Sequence, residues 1–232
     1  MMRQPRQCYD EAEGADAELV LMKTLAAGDV VLAADAAGAL SFERVVVNQH
    51  KANPLASALL EVHHSAGVLS LTPDHVLLVD GAFAPARDAK PGSALALADG
   101  TAAVVERVAT AHGAVVNPVT ASGTIVADGV VAATHPEWSA GFMLASGVPL
   151  PLFYAAAAAF PATTQAYYDA VLEPLLDALG AHVKPAALGA SALVAPFVAA
   201  DAAAALGLVA FAGAAPVALL ALGAAALRSR KA

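Results

Sequence analysis

Apolar and polar positions alternate in short runs through the first 137 residues, and Gly, Asp and Pro cut the runs at regular intervals. Such alternation predicts half-buried strands, and the breakers predict the turns between them. A strand is expected over 19–22. Gly28-Asp29 then forms a turn feeding an apolar strand that ends at Ala33. The next turn falls at 35–38 and the next strand at 42–47. Residues 57–62 alternate into His63-His64, whose side chains would point to opposite faces of a strand. Gly67 precedes a strand over 68–71. Thr72-Pro73-Asp74-His75 reads as a helix start, with Thr72 capping, Pro73 after the cap and His75 on the same side as Thr72. A buried strand follows over 76–79. Residues 82–92 read as loop and turn, and short strands follow at 94–97, 103–108, 115–119 and within 118–132. Strands at roughly ten-residue spacing with turns between them indicate a compact all-β domain of about 130 residues.

After residue 137 the pattern changes. Residues 138–168 carry no Asp, Glu, Lys or Arg and are broken by Pro149, Pro151 and Pro161. Residues 167–179 have helical spacing, with Tyr168, Val171, Leu172, Leu175 and Leu176 on one side. The run 185–200 is uncharged, Asp201 interrupts, and 202–227 is again uncharged up to Arg228. The last run is long enough to cross a bilayer as a helix, and Pro216 would kink it, which membrane helices tolerate. Length and hydropathy therefore predict membrane association through 185–227, as a hairpin turning near Asp201. The secretory pathway or the cell exterior is the expected location if the chain is part of a longer precursor. The alternative is an Ala-rich helical pair packed on the β-domain. The expected organisation is a β-domain over 8–137 followed by an apolar α-helical region over 138–232.

Composition narrows the function classes. Of the 232 residues, 59% are apolar and 14% charged, which excludes a disordered chain. A formal charge of -8 excludes a nucleic-acid partner, since no basic stripe exists to neutralise phosphates. The basic cluster Arg228-Ser229-Arg230-Lys231 sits at the C-terminus. A single cysteine, Cys8, permits no intramolecular disulfide; it is either an incidental small residue or a nucleophile. Residues 1–10 contain no apolar signal core, so either the protein is not exported or the chain lacks the start of a longer one. The seven histidines form no H-E-x-x-H, and no C-x-x-C exists, so no metal site and no cofactor are expected. A hydroxyl and an imidazole three residues apart, Thr72 and His75, read by default as a helix start with a structural histidine, and the spacing alone is a weak catalytic signal.

Three blocks carry a resemblance. Leu25-Ala26-Ala27-Gly28-Asp29-Val30-Val31-Leu32-Ala33 is the first. Leu71-Thr72-Pro73-Asp74-His75, with Phe83-Ala84 and Pro91-Gly92 downstream, is the second. The third is Pro118-Val119-Thr120-Ala121-Ser122-Gly123-Thr124-Ile125-Val126-Ala127-Asp128-Gly129-Val130-Val131-Ala132. In order and spacing they resemble the L-x-x-G-D-x-V-L-A, L-T-x-x-H and P-L-T-x-x-G-T-I-V-V segments of the Hint domain, the self-cleaving module of hedgehog-type proteins and of inteins. The resemblance covers about residues 8–135 and implies a mostly β, Hint/intein-like fold.

It also implies a chemistry. Cys8 would attack the carbonyl before it and convert the amide to a thioester. His75 would protonate the leaving nitrogen, and Thr72 would hold the scissile peptide. Water, a thiol or a lipid or sterol hydroxyl would then attack the thioester. Hedgehog proteins use an aspartate after the Val45-Val46-Val47 strand to activate the sterol. Here the segment is Asn48-Gln49-His50-Lys51, and His50 is either a base for water or another alcohol or a surface turn histidine. Thr134 stands where true hedgehogs have a second cysteine, and His135 follows it. Gln7 stands where Gly is usual. The substrate would be the chain's own N-terminal segment, cut between Gln7 and Cys8. Such a cut frees seven residues of this chain, so a longer precursor is expected. The alternative is a catalytically idle, membrane-associated Hint-fold binding or scaffold protein.

Overall fold

The computed structural model describes residues 7–10, 18–34, 39–52, 54–136, 151–180 and 198–214. The expectations for the 35–38 turn, for 138–150, for 181–197 with His182 and for 215–232 lie outside the described residues. Thirteen strands among the described residues form one curved sheet. They are β1 Gln7–Asp10, β2 Glu18–Leu21, β3 Val30–Ala34, β4 Leu40–Gln49, β5 Leu55–His64, β6 Gly67–Leu71, β7 His75–Val79, β8 Ala82–Pro85, β9 Ala94–Ala96, β10 Ala102–Val115, β11 Asn117–Thr120, β12 Thr124–Ala127 and β13 Val130–Pro136. The order across the sheet is β11-β4-β3-β1-β12-β13-β7-β9-β10-β5-β6, with β2 paired to β1 and β8 to β7. A mostly β domain followed by a short helical region is thus as expected.

Local chemistry explains the turns. Asp80-Gly81 has φ of 51° and 81°, and Asp128-Gly129 has 50° and 82°. Two consecutive left-handed residues make the tight hairpin turns that match strand twist. The first of them folds β8 back on β7, so 82–85 is a strand where the sequence suggested loop; pairing with buried β7 overrides the weak local pattern. Residues 103–108 fall in β10 and 117–119 in β11, two separate strands as expected, but β10 runs on to Val115. One long β10 pairs with β5 from Val105↔His64 to Val115↔Leu55, and a bulge between Val105 and Arg107 absorbs the break in alternation. Thr72 to His75 is a turn, not a helix start.

Leu25, Val31, Val45, Val62, Leu69, Leu77, Leu95, Val105, Ile125 and Val130 fill the concave side of the sheet. Asn48, fully buried in β4, ties the Gly28-Asp29 turn segment to this core. Its Nδ2 donates to Met22 O at 2.7 Å and Leu25 O at 2.9 Å. On the far side Val46, Val47 and Val119 are covered by helices α1 Pro151–Ala159, α2 Pro161–Tyr167 and α4 over 198–214, and α3 Glu173–Gly180 follows α2. That is why the run Val45-Val46-Val47 is continuously apolar: both faces are buried. A π-helical turn, Tyr168–Leu172, joins α2 to α3. It rotates the buried side away from the expected stripe: Tyr168 is buried, while Val171, Leu175 and Leu176 are exposed.

The expected membrane association through 185–227 is overturned. No helix among the described residues is long and apolar enough to cross a membrane. Asp201 is not a hairpin tip. It lies inside α4, buried, and its carboxylate accepts the N–H groups of Leu152 at 3.0 Å and Phe153 at 2.8 Å, capping α1 from outside. Ala204, Ala205 and Leu208 pack with Phe153 and Tyr167, and Tyr167 stacks on Phe211 with ring centroids 5.6 Å apart. Gly207 leaves the space that the Tyr167 ring occupies. One face of α4, with Ala204, Ala205 and Leu208, is packed on the protein itself.

Candidate functional site

The Thr72–His75 turn connects β6 to β7. It is closed by His75 N–H on Thr72 O at 3.1 Å and pinned by Arg87 N–H on Pro73 O at 2.9 Å. The Arg87 guanidinium adds an ion pair to Asp74 at 2.5 Å. Thr72 and His75 are both half-buried at the start of β7. Register then brings the end of β13 alongside, with Pro136 opposite His75. His135 is half-buried there, with its Nε2 out of solvent. Burial first, and the neighbouring His75 second, bring its imidazole down from 6.5 to about 4, so it is neutral in the physiological range. Its Nε2 has no hydrogen-bond partner among the described residues. Gly123 packs on its ring: a Cβ there would stand 3.4 Å from Cδ2, and the backbone is left-handed at +79°.

Thr134 N–H donates to Gly123 O at 2.8 Å, and Thr134 O accepts from Asn117 Nδ2 at 2.9 Å. The same Asn117 amide donates to Gln49 Oε1 at 2.8 Å. One side chain therefore joins the His75–His135 end of the sheet to the end of β4, where His50 follows. The Tyr168 hydroxyl bonds to Gln49; burial and then the nearby Glu173 hold it well above its ordinary value.

His50 has a left-handed backbone, φ 59°. Both its N–H and its Nδ1 lie 2.8 Å from Glu173 Oε1. Glu173 is buried at the start of α3. The acid missing from Asn48-Gln49-His50-Lys51 is thus supplied 123 residues away. Sequence reasoning missed it because Glu173 follows Tyr168 by five residues, a π-helical step that a search at helical period of three or four passes over. The signal was burial: Glu173 is buried on a stretch that also carries Asp169 and Asp177. Lys51 continues the segment by donating to Thr24 O at 3.1 Å and Leu25 O at 2.6 Å.

The backbone of Cys8 is placed elsewhere. It is opposite Ala127 in β12, and Ala127 is opposite Val130 in β13. His75 is opposite Pro136. Ala132 of β13 is opposite Leu77, two residues from His75, so along β7 the two levels differ by about four residues, roughly 13 Å at strand rise. The structure therefore brings His75, His135 and His50 to one end of the sheet and leaves Cys8 level with the Asp128-Gly129 turn. β1 holds β12 and β3 by one register pair each but β2 by four.

His63 and His64 lie on β5, away from this end. His63 contacts Arg107 at 2.8 Å and Glu61 at 3.5 Å. Burial brings the His64 imidazole below its ordinary value, against the opposing pull of Glu106. Among the described residues no cluster of three His, Cys, Asp or Glu side chains could hold a metal.

Against known proteins, residues 6–145 match the Hint module. No curated protein matches the chain. Among solved structures it is similar to the bacterial intein-like domain from Clostridium thermocellum, with 21% identity and a TM-score of 0.46 over 55% of this chain and 94% of that one. It is similar also to a DnaB intein from Synechocystis sp. PCC 6803, with 11% identity and a TM-score of 0.46 over 55% and 97%. The gp41-1 intein gives 9% identity and a TM-score of 0.46 over 55% and 93%.

Proposed function

The chain belongs to the Hint module family, and from that premise we propose that it processes itself by cutting the backbone bond between Gln7 and Cys8. Self-processing in general is what this fold supports; the residues and the order of steps are our reading. Cys8 is the chain's one thiol, hence the one side chain able to form a thioester. Its sulfur adds to the Gln7 carbonyl, the C–N bond breaks, and the leaving amine takes a proton. His75 is the donor. His135, beside it, is neutral down to about pH 4 and has no proton to give as an imidazolium. In this reading Thr72 holds the peptide against His75. The second step is attack on the thioester by water, with His50 as base.

One observation carries this reading: Asn117 bonds both Thr134, next to His135 on the strand end that runs opposite His75, and Gln49, next to His50. The register of β1 favours a second reading, an idle Hint fold, because Cys8 stands off these residues. Cleavage then requires the β1–β2 hairpin to slide along β12, which the single Cys8↔Ala127 pair resists only weakly.

A reporter fused ahead of Gln7 separates the two. Hydroxylamine or a strong thiol should release it. Cys8→Ala should abolish release, and His75→Ala should slow it by about 10²-fold or more, the usual worth of a positioned general acid. A fusion that stays intact with every nucleophile leaves the idle reading.

A further inference from the structure

His50 is held twice by one carboxylate. Glu173 Oε1 accepts its backbone N–H at 2.8 Å and lies 2.8 Å from its Nδ1. A carboxylate only accepts, so Nδ1 carries the proton and Nε2 is left as the basic nitrogen. Glu173 is buried while the His50 side chain is a quarter exposed. The acid sits behind and the imidazole faces out, the layout of a base and its orienting group. The backbone agrees. A non-glycine residue at φ 59° persists only where its surroundings over-determine it, and the Glu173 bond to the His50 N–H does so.

We infer that Glu173 is a positioning residue for the second step of self-cleavage, fixing the tautomer and direction of His50 so that Nε2 takes a proton from the attacking water. The inference rests on the cleavage reading above. In the step, the water O–H proton passes to Nε2 and the oxygen bonds to the thioester carbonyl carbon. The C–S bond breaks, and the Cys8 thiolate takes the proton back from the imidazolium. The products are a peptide carboxylic acid and a thiol, with nothing oxidised or reduced. Lys51, Tyr168, Asp169 and Asp177 are the other ionisable groups of this corner, and Gln49 and Asn117 the neutral ones. The helical region thereby supplies part of the site, a role composition alone did not suggest for it.

The test uses the full chain with a reporter ahead of Gln7 and compares release by water with release by hydroxylamine, which needs no base. Glu173→Gln should lower the water-to-hydroxylamine ratio at least tenfold, and Glu173→Asp should restore part of it. Adding Glu173→Gln to His50→Ala should change the ratio no further. A ratio left unchanged by Glu173→Gln, or two rates falling together as in a folding defect, overturns the inference. A downfield His50 Nδ1–H proton resonance, lost in Glu173→Gln, reports the pair without any cleavage, and its absence from the wild type also overturns the inference. A chain that keeps this resonance yet releases nothing with hydroxylamine overturns the cleavage reading, and the role of Glu173 falls with it while the pairing stands.

Discussion

His135 makes the fold sensitive to acid in a way that one substitution isolates. Burial, reinforced by His75, holds its imidazole near 4 instead of 6.5. The folded state therefore binds this proton less tightly than the unfolded chain. Between those two values the unfolded state carries more protons, so stability is complete above pH 6.5 and is lost as the pH falls toward 4. By linkage the loss from this group alone is about 2.5 kcal/mol between pH 8 and pH 4.5. Urea denaturation of the wild type and of His135→Asn at both pH values measures it, because carboxylates common to the two chains cancel. The wild type should lose about 2.5 kcal/mol more than the variant on acidification. Equal losses, to within about 0.5 kcal/mol, would refute the burial argument. An NMR titration in which His135 shows its inflection near 6.5 would do the same.

Two further substitutions test the packing that shapes the site. Asn48→Ala leaves the carbonyls of Met22 and Leu25 without their buried donor and should cost about 2–4 kcal/mol, read from the urea midpoint at constant m. Asp201→Asn weakens the outside cap on α1 and should cost about 1 kcal/mol at neutral pH; thermal unfolding checks it, and a stability unchanged to within about 0.3 kcal/mol would show that α1 does not depend on α4.

The strands were legible where side-chain alternation and turn chemistry agreed. Asp80-Gly81 and Asp128-Gly129 announce their hairpins because few other pairs tolerate two left-handed residues. Thr72 and His75 were legible as a unit, since three residues of turn bring both to the start of β7. His50 was visible but its partner was not: a π-turn carries Glu173 onto the Tyr168 face, and no local period encodes that step. His135 was named without its setting, because burial comes from Gly123 and the neighbouring strand end. The apolar 202–214 segment misled for a simple reason. Hydropathy counts apolar side chains but does not say whether lipid or Tyr167 and Phe153 will cover them.

Gln165 has a consequence beyond holding a helix in place. Its Oε1 accepts the Asn48 N–H and its Nε2 donates to the Asn48 carbonyl, each at 2.9 Å. A primary amide thus answers the N–H and C=O of one residue with the acceptor and donor that an adjoining strand would offer. Without that plug a buried donor and a buried acceptor would be left without partners, a cost on the order of 1–3 kcal/mol each. The helices therefore do more than shield oily residues: through a single glutamine they complete the hydrogen bonding of an interior strand.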